Sequence, residues 1–373
     1  MKLLMTPGPV NVPKQVAKKE SEPLIHHRKK EFAEILQDVT HKLKKILKTK
    51  HDVFVLTSSG TGAMEAAVSN FLSKGDNAIV LKTGYFGERW AEICTAYGVN
   101  VLGIDAEWGK NPDYRQIQKQ IHGAKAVFTT LVDTSTGALQ DIKQIGMMVS
   151  GTDAVLVVDA VSGLGGQEIN ADEWGLDVVC AASQKSLMCA PGLSFISVSP
   201  KAWQLAETSN LPKYYFSLKH YKEYMQKGQT PYTPAISLVK SLQAALGMIE
   251  KEGFENVLKR HETMAEAVRQ SVKALGLEIL AESPSNIVTA VKIPDNIGAD
   301  SLVNIMDEKY DIVISGGQNL LKGKIIRLGH LGNSGKKEIL MMISALEKSL
   351  AELGHQFEKS AGVKAAKKVF KGE

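Results

Sequence analysis

The 373-residue sequence is poor in cysteine, in aromatic side chains and in net charge, and it has no long apolar run. Its three cysteines, Cys94, Cys180 and Cys189, are odd in number and form no CxxC pair. That excludes a disulfide framework, speaks against cysteine-held metal and fits reduced thiols in the cytoplasm. No metal site is expected. A formal charge of +5 is small for this length, and much of it could come from the segment Gly362 to Glu373, so no nucleic-acid groove is indicated. Residues Met1 to Val10 carry one charge and a short apolar run cut by Pro7, too little for a signal-peptide core. No stretch reaches the apolar length that spans a bilayer.

What is present is a globular composition, 44% hydrophobic and 23% charged, enough for a sizeable core and about two domains. From about residue 50 to 200, short Val- and Ile-rich runs alternate with helical-period segments, the pattern of parallel strands with crossover helices. Seven strands are expected, at 51–57, 78–81, 99–104, 126–132, 154–159, 177–181 and 193–198. After Pro234 come two long helices, at 236–252 and 254–275. Strand-like runs at 277–280 and 287–293, a helix from Ala299, further strands at 312–314 and 324–328 and a final helix at 336–353 follow. That order reads as a smaller α+β unit beside an α/β sheet. The expected division is 15–250 for the large domain and 251–358, with an N-terminal arm 1–14, for the small one. The basic segment 359–373 reads as a solvated amphipathic tail.

Two polar residues stand at expected strand ends, where open parallel sheets gather ligands. Asp159 closes Val155-Leu-Val-Val-Asp159, and Lys185 follows Val178-Val-Cys-Ala-Ala-Ser183. Alone, each has an ordinary structural reading, a helix-capping aspartate and a solvated loop lysine. Together they fit a cofactor that needs an amine to hold an aldehyde and a buried carboxylate to keep a ring nitrogen protonated, which is pyridoxal phosphate. Leu56-Thr-Ser-Ser-Gly-Thr-Gly62 ends a strand and opens a helix, so Ser59, Gly60, Thr61 and Gly62 offer backbone N–H groups to a phosphate. An ordinary N-cap is the plainer alternative, and a dinucleotide fingerprint lacks its third glycine. In Gly84-Tyr-Phe-Gly87, Phe86 is placed to lie on an aromatic ring, with core packing as its alternative.

These motifs, with Thr6-Pro-Gly-Pro9, Asp133-Thr-Ser-Thr-Gly137 and Ile326-Arg-Leu-Gly-His-Leu-Gly332, resemble the class V, fold type I aminotransferases of the alanine–glyoxylate and serine–pyruvate branch, over almost the whole chain. The resemblance implies a pyridoxal 5'-phosphate enzyme whose large domain holds a mostly parallel seven-stranded sheet and whose C-terminal domain is smaller and α+β. It implies a Schiff base on Lys185, a pyridinium partner in Asp159, phosphate contacts from Gln184 and residues 59–62, and a hydroxyl near the ring from Thr134. Arg327 matches the arginine for the substrate α-carboxylate, and Gly8 falls on the substrate side. Thr233 matches a phosphate contact reaching across to a partner subunit, which implies a homodimer with shared sites.

Two positions depart from the pattern. Phe86 stands where members often have tryptophan, and Thr230 where a tyrosine serves the phosphate; both leave cofactor affinity and substrate scope open. The implied reaction moves an amino group from a small L-amino acid, alanine, serine or aspartate, to a 2-oxo acid, glyoxylate or pyruvate. Alternatives on the same fold are an aminophosphonate transaminase, or a desulfurase or related lyase; a desulfurase needs a nucleophilic cysteine late in the chain, and none follows Cys189. A catalytically silent protein of the same fold is a further alternative. His26, His27 and His330 have no metal-ligand spacing; His330, close to Arg327, is read as shaping the pocket.

Overall fold

The computed structural model describes residues 2–372. Its main sheet contains β1 (Asp52–Thr57), β2 (Asn77–Lys82), β3 (Asn100–Asp105), β4 (Ala124–Thr130), β5 (Val155–Asp159), β6 (Val178–Ala182) and β7 (Leu193–Val198). They lie in the order β1-β7-β6-β5-β4-β2-β3. Strands β5 and β6 are buried along their whole length, as expected of strands covered on both faces. The pleat sends alternate side chains to opposite sides: Val155 and Val157 join one apolar cluster, Leu156 and Val158 the other.

All neighbouring strands are parallel except β7, which runs antiparallel to both β1 and β6. Only the loop 183–192 joins β6 to β7, too short for the crossover a parallel pair requires. The loop carrying Lys185 is therefore the turn of a hairpin. Chain order reverses between β2 and β4, and ligands gather at such a switch point, beyond the carboxyl ends of the strands. The ends of β1, β2, β4, β5 and β6 lead into Ser58, Thr83, Leu131, Ala160 and Ser183, each within or beside a segment singled out above.

Helix α1 (Gly60–Phe71) packs on the Val155 side and α2 (Tyr85–Ala96) follows β2. Helix α3 (Ile236–Glu252) lines the opposite core, and α4 (Phe254–Ala274) leads to a second, antiparallel sheet. That sheet has the order β8-β9-β11-β10, with β8 Glu278–Ile279, β9 Val288–Lys292, β10 Ser315–Gly316 and β11 Ile325–Gly329. A third apolar cluster joins it to α4 and to α5 (Lys336–Glu352). The segment read as a solvated tail instead forms α6 (Ala361–Val369), packed on α4. Gly362 and Ala366, one turn apart, give α6 a small face. Ala366 is fully buried, Ser271 Oγ donates to the Gly362 carbonyl at 2.8 Å, and the lysines point outward. Among the described residues no helix is long and apolar enough to cross a membrane.

Candidate active site

Asp159 shares the pleat parity of Val155 and Val157, so it faces α1. It is 3% exposed. One carboxylate oxygen accepts from the Val161 N–H at 2.8 Å; among the described residues no donor reaches the other. Burial, seconded by the nearby Asp133 charge, raises the Asp159 carboxyl to about 6, against the lowering pull of the Val161 N–H, Arg89 and Lys185.

Lys185 stands in the hairpin turn next to β5. Its Nζ donates to the Pro7 carbonyl at 2.7 Å. Burial lowers the amine to about 8; Asp159 opposes that shift, while Arg327 and Arg89 add to it. The N-terminal arm reaches Lys185 by pairing Leu3–Leu4 with Ile312–Val313, then accepting the Gly329 N–H at Met5 (2.7 Å) and donating from Val10 to the Gln184 carbonyl (3.3 Å). Gly8, at φ +123°, passes so close that a Cβ there would lie 2.4 Å from Lys185 Cδ. Only glycine suits both that dihedral and that contact.

Arg327 lies on β11 and is 7% exposed. Its Nε donates to the Gly316 carbonyl at 2.8 Å, and Nη1 to the Thr134 carbonyl at 3.0 Å and to Gln318 Oε1 at 3.3 Å. Burial lowers it to about 10, partly offset by Asp133. Among the described residues no carboxylate forms an ion pair with it. Among the described residues Nη2 donates to no protein atom, so this buried cation, held by neutral oxygens at Nε and Nη1, keeps one nitrogen and its charge for a carboxylate from outside.

At the end of β1, Ser59 is the N-cap residue of α1 and makes no side-chain capping bond; the Gly62 N–H donates to the Ser59 carbonyl at 2.9 Å, while among the described residues the Gly60 and Thr61 N–H groups have no acceptor. A Cβ on Gly60 would meet Val161 Cγ2 at 2.6 Å, so glycine lets this turn sit against the segment that follows Asp159. Phe86 is held by Asp133, whose carboxylate accepts from the Phe86 and Gly87 N–H groups (3.0 and 3.3 Å) and from Ser135. Thr134 is buried beside them, its carbonyl on Arg327.

The positions expected to reach another subunit lie elsewhere. Thr230 is buried and spends its hydroxyl on the Tyr232 carbonyl (2.7 Å), while Arg28 holds its own carbonyl; within this chain the hydroxyl serves a turn. Thr233 is exposed. Neither ring nitrogen of His330 is free: Nε2 pairs with Thr289 Oγ1 at 2.9 Å and Nδ1 with the Asn286 carbonyl at 3.1 Å, and burial pushes the ring down to about 3. His330 is a satisfied core histidine, which corrects its reading as a pocket residue. Two residues went unread. Asp133 was quoted within a motif without a role, and Arg89 stands one helical turn beyond Phe86, on the same face.

The donor set fits pyridoxal phosphate: a desolvated amine, a buried carboxylate with one oxygen lacking a donor, and a helix N-terminus beside it. A family model described as Aminotransferase class-V matches residues 10–330. The chain is 43% identical, over 98% of both sequences, to a protein of Synechococcus sp. (strain PCC 6716) named soluble hydrogenase, small subunit. It is 33% identical to the L-aspartate–glyoxylate aminotransferase of Paracoccus denitrificans, over 99% of this chain and 96% of that one. A solved structure, the ureidoglycine–glyoxylate aminotransferase of Bacillus subtilis, matches with a TM-score of 0.94 at 27% identity, covering 100% of this chain and 98% of its own. The chain belongs to the class-V aminotransferases, enzymes of fold type I whose cofactor is pyridoxal 5'-phosphate.

Proposed function

We propose that the protein transfers the amino group of a small L-amino acid, alanine, serine or aspartate, to glyoxylate, in two half-reactions at the site around Lys185. The observation that carries this reading is Arg327, a buried cation without a carboxylate partner, within electrostatic reach of Lys185. An amino acid and a 2-oxo acid both carry an α-carboxylate, and a single fixed guanidinium charge can hold either in turn. The Paracoccus and Bacillus relatives are named for glyoxylate, which supports it as acceptor. The hydrogenase name of the Synechococcus relative stays with that protein.

Bound pyridoxal phosphate supplies an aldehyde carbon and a ring that accepts electrons from the substrate α-carbon. Lys185 would hold that aldehyde at rest and, once displaced by substrate, would take the proton from Cα and deliver it to the former aldehyde carbon, on the far side of the nitrogen. Asp159 keeps the ring nitrogen protonated. Ser59 to Gly62 and Gln184 would hold the phosphate, Phe86 and Thr134 would serve the ring, and the Gly8 backbone would line the substrate side. A desulfurase role finds no support in Cys189: its thiol contacts the Leu238 carbonyl and burial pushes it up to about 12. All three cysteines are free and buried, in keeping with the reducing cytoplasm.

Addition of L-alanine, L-serine or L-aspartate to the yellow protein should bleach its visible absorbance, and glyoxylate should restore it. Absence of any bleaching across a panel of amino acids would leave a catalytically silent fold. Restoration by other oxo acids but not by glyoxylate would reject the acceptor.

We also propose a homodimer with the partner's Thr233 completing each phosphate site. Exposed Thr233 adjoins an aromatic surface in which Tyr215 stacks on Tyr232 at 5.2 Å and Tyr214 is 75% exposed. Aromatic clusters of this kind favour burial against a partner. Sedimentation should give a dimer at micromolar concentration, and a stable monomer that retains full activity would refute it.

A further inference from the structure

Arg89 has no acidic partner among the described residues, although it is half-buried. The neighbouring Glu88 faces Lys82. The guanidinium instead makes three contacts that converge on the cofactor site. Nη1 donates to Thr61 Oγ1 in the phosphate turn at 3.1 Å. The guanidinium carbon lies 4.8 Å from the centre of the Phe86 ring and 5.2 Å from that of Tyr85. Its charge is felt at both Lys185 and Asp159.

We propose that Arg89 is a positioning residue of the cofactor site: it braces Phe86 against the phosphate turn at Thr61 and sets a fixed positive charge beside the Lys185–Asp159 pair. The proposal rests on the cofactor reading given above and adds to it a residue with two separable effects.

The first effect is mechanical. A tryptophan at position 86 would offer a larger ring and could hold its place by its own contacts. Phenylalanine is smaller, and here one of its faces meets a planar cation while the Asp133 carboxylate anchors its backbone N–H. Arginine suits this task and lysine does not, because a flat guanidinium can stack on a ring while its edge donates to Thr61.

The second effect is electrostatic. The charged groups that act on Lys185 are Asp159 on β5, Arg327 on β11 and Arg89 on α2, with Asp133 acting on Asp159 from the loop after β4. A cation nearby disfavours the protonated form of the nitrogen that joins Lys185 to the cofactor. Removing that cation therefore raises the pH at which the bond loses its proton.

The two effects separate in Arg89→Lys and Arg89→Gln. Each apoprotein is titrated with pyridoxal phosphate, and the visible absorbance of the Lys185-bound cofactor is then followed against pH without any substrate. Arg89→Lys keeps the charge and loses the planar stack, so cofactor Kd should rise roughly 5- to 10-fold while the spectral midpoint stays within about 0.2 unit of the wild type. Arg89→Gln should show at least that loss of affinity together with a midpoint raised by about 0.5–1 unit. Circular dichroism of the apoproteins checks that both variants are folded. If only Arg89→Gln failed to fold, a wild-type Kd in Arg89→Lys would still refute the brace. A Kd within twofold of wild type in both variants removes the mechanical role, and an unmoved midpoint in folded Arg89→Gln removes the electrostatic one. A wild-type protein that forms no visible band with pyridoxal phosphate would instead remove the cofactor reading on which the proposal stands.

Discussion

Replacing Lys185 with alanine should lower turnover by at least about 10^3-fold, within the range that a positioned general base supplies. The side chain is assigned two tasks, holding the aldehyde at rest and moving the proton during the reaction, and alanine removes both. No neighbour is placed to take over. The two buried histidines, His330 three residues after Arg327 and His261 on α4, are held by burial at about 3 and about 4. His330 uses both ring nitrogens within the protein, while His261 pairs one nitrogen with the Val257 carbonyl and accepts the Gly332 N–H at the other. Arg327, even lowered to about 10, stays protonated at working pH. A pre-steady-state half-reaction with L-alanine measures the loss; a rate near wild type would end the assignment of Lys185.

The wild-type amine offers an independent check with a definite sign. Only the neutral amine attacks an aldehyde, and burial lowers Lys185 to about 8. Capture of pyridoxal phosphate by the apoprotein should therefore speed up as pH rises through about 8 and level off above it. An unperturbed lysine would keep gaining until about 10.4. A rate still climbing at pH 10 would mean that the side chain is solvated, contrary to its position under the Pro7 carbonyl.

That position was the part of the site least visible in the sequence. Pro7 and Lys185 are 178 residues apart, and no local pattern announces that Gly8 must pass within van der Waals contact of a lysine side chain. The seven strands, in contrast, were legible to within about two residues at either end: the central ones are buried on both faces and so must be continuously apolar, while the edge strand β3, largely exposed, was marked by its short apolar run and flanking turns. Asp159 and Lys185 were legible for the same reason: a charged residue that interrupts such a run stands out. A mostly parallel sheet leaves open which strand is reversed, since periodicity is blind to polarity along the sheet; the short loop 183–192 is the signal that picks out β7. The tail was misjudged because lysine content outweighed a two-residue small face, Gly362 and Ala366, that only α4 makes meaningful. Arg89 and Asp133 escaped because their roles are contacts between loops from different strands, a property of the switch point rather than of any single segment.

Replacing Asp159 with asparagine should slow removal of the substrate α-proton by about 10^2–10^3-fold, the usual cost of losing one preorganised charge partner, while the cofactor still binds. Asparagine has nearly the same shape, and its carbonyl oxygen can accept the Val161 N–H that now goes to the aspartate, so the turn after β5 should survive. What it cannot do is carry charge towards the ring nitrogen. The effect should therefore fall on the proton-transfer step, read as slower bleaching in a single turnover and a larger rate loss with Cα-deuterated substrate. Stability should move the other way. In the apoprotein, burial raises the Asp159 carboxyl to about 6, so its ionised form is disfavoured by folding. Such a group costs nothing below its unfolded pKa, near 4, and its cost grows as pH rises to the folded value, reaching on the order of 2–3 kcal/mol above it. Apo Asp159→Asn should then melt at or above wild type at pH 8, with the gap closing towards pH 4. Bound cofactor reverses the balance, because a protonated ring nitrogen gives the carboxylate the partner that the folded protein withholds. An asparagine variant with near-normal proton transfer would remove the role assigned to Asp159. One that melts well below wild type as the apoprotein at pH 8 would show that the carboxylate is satisfied without the cofactor.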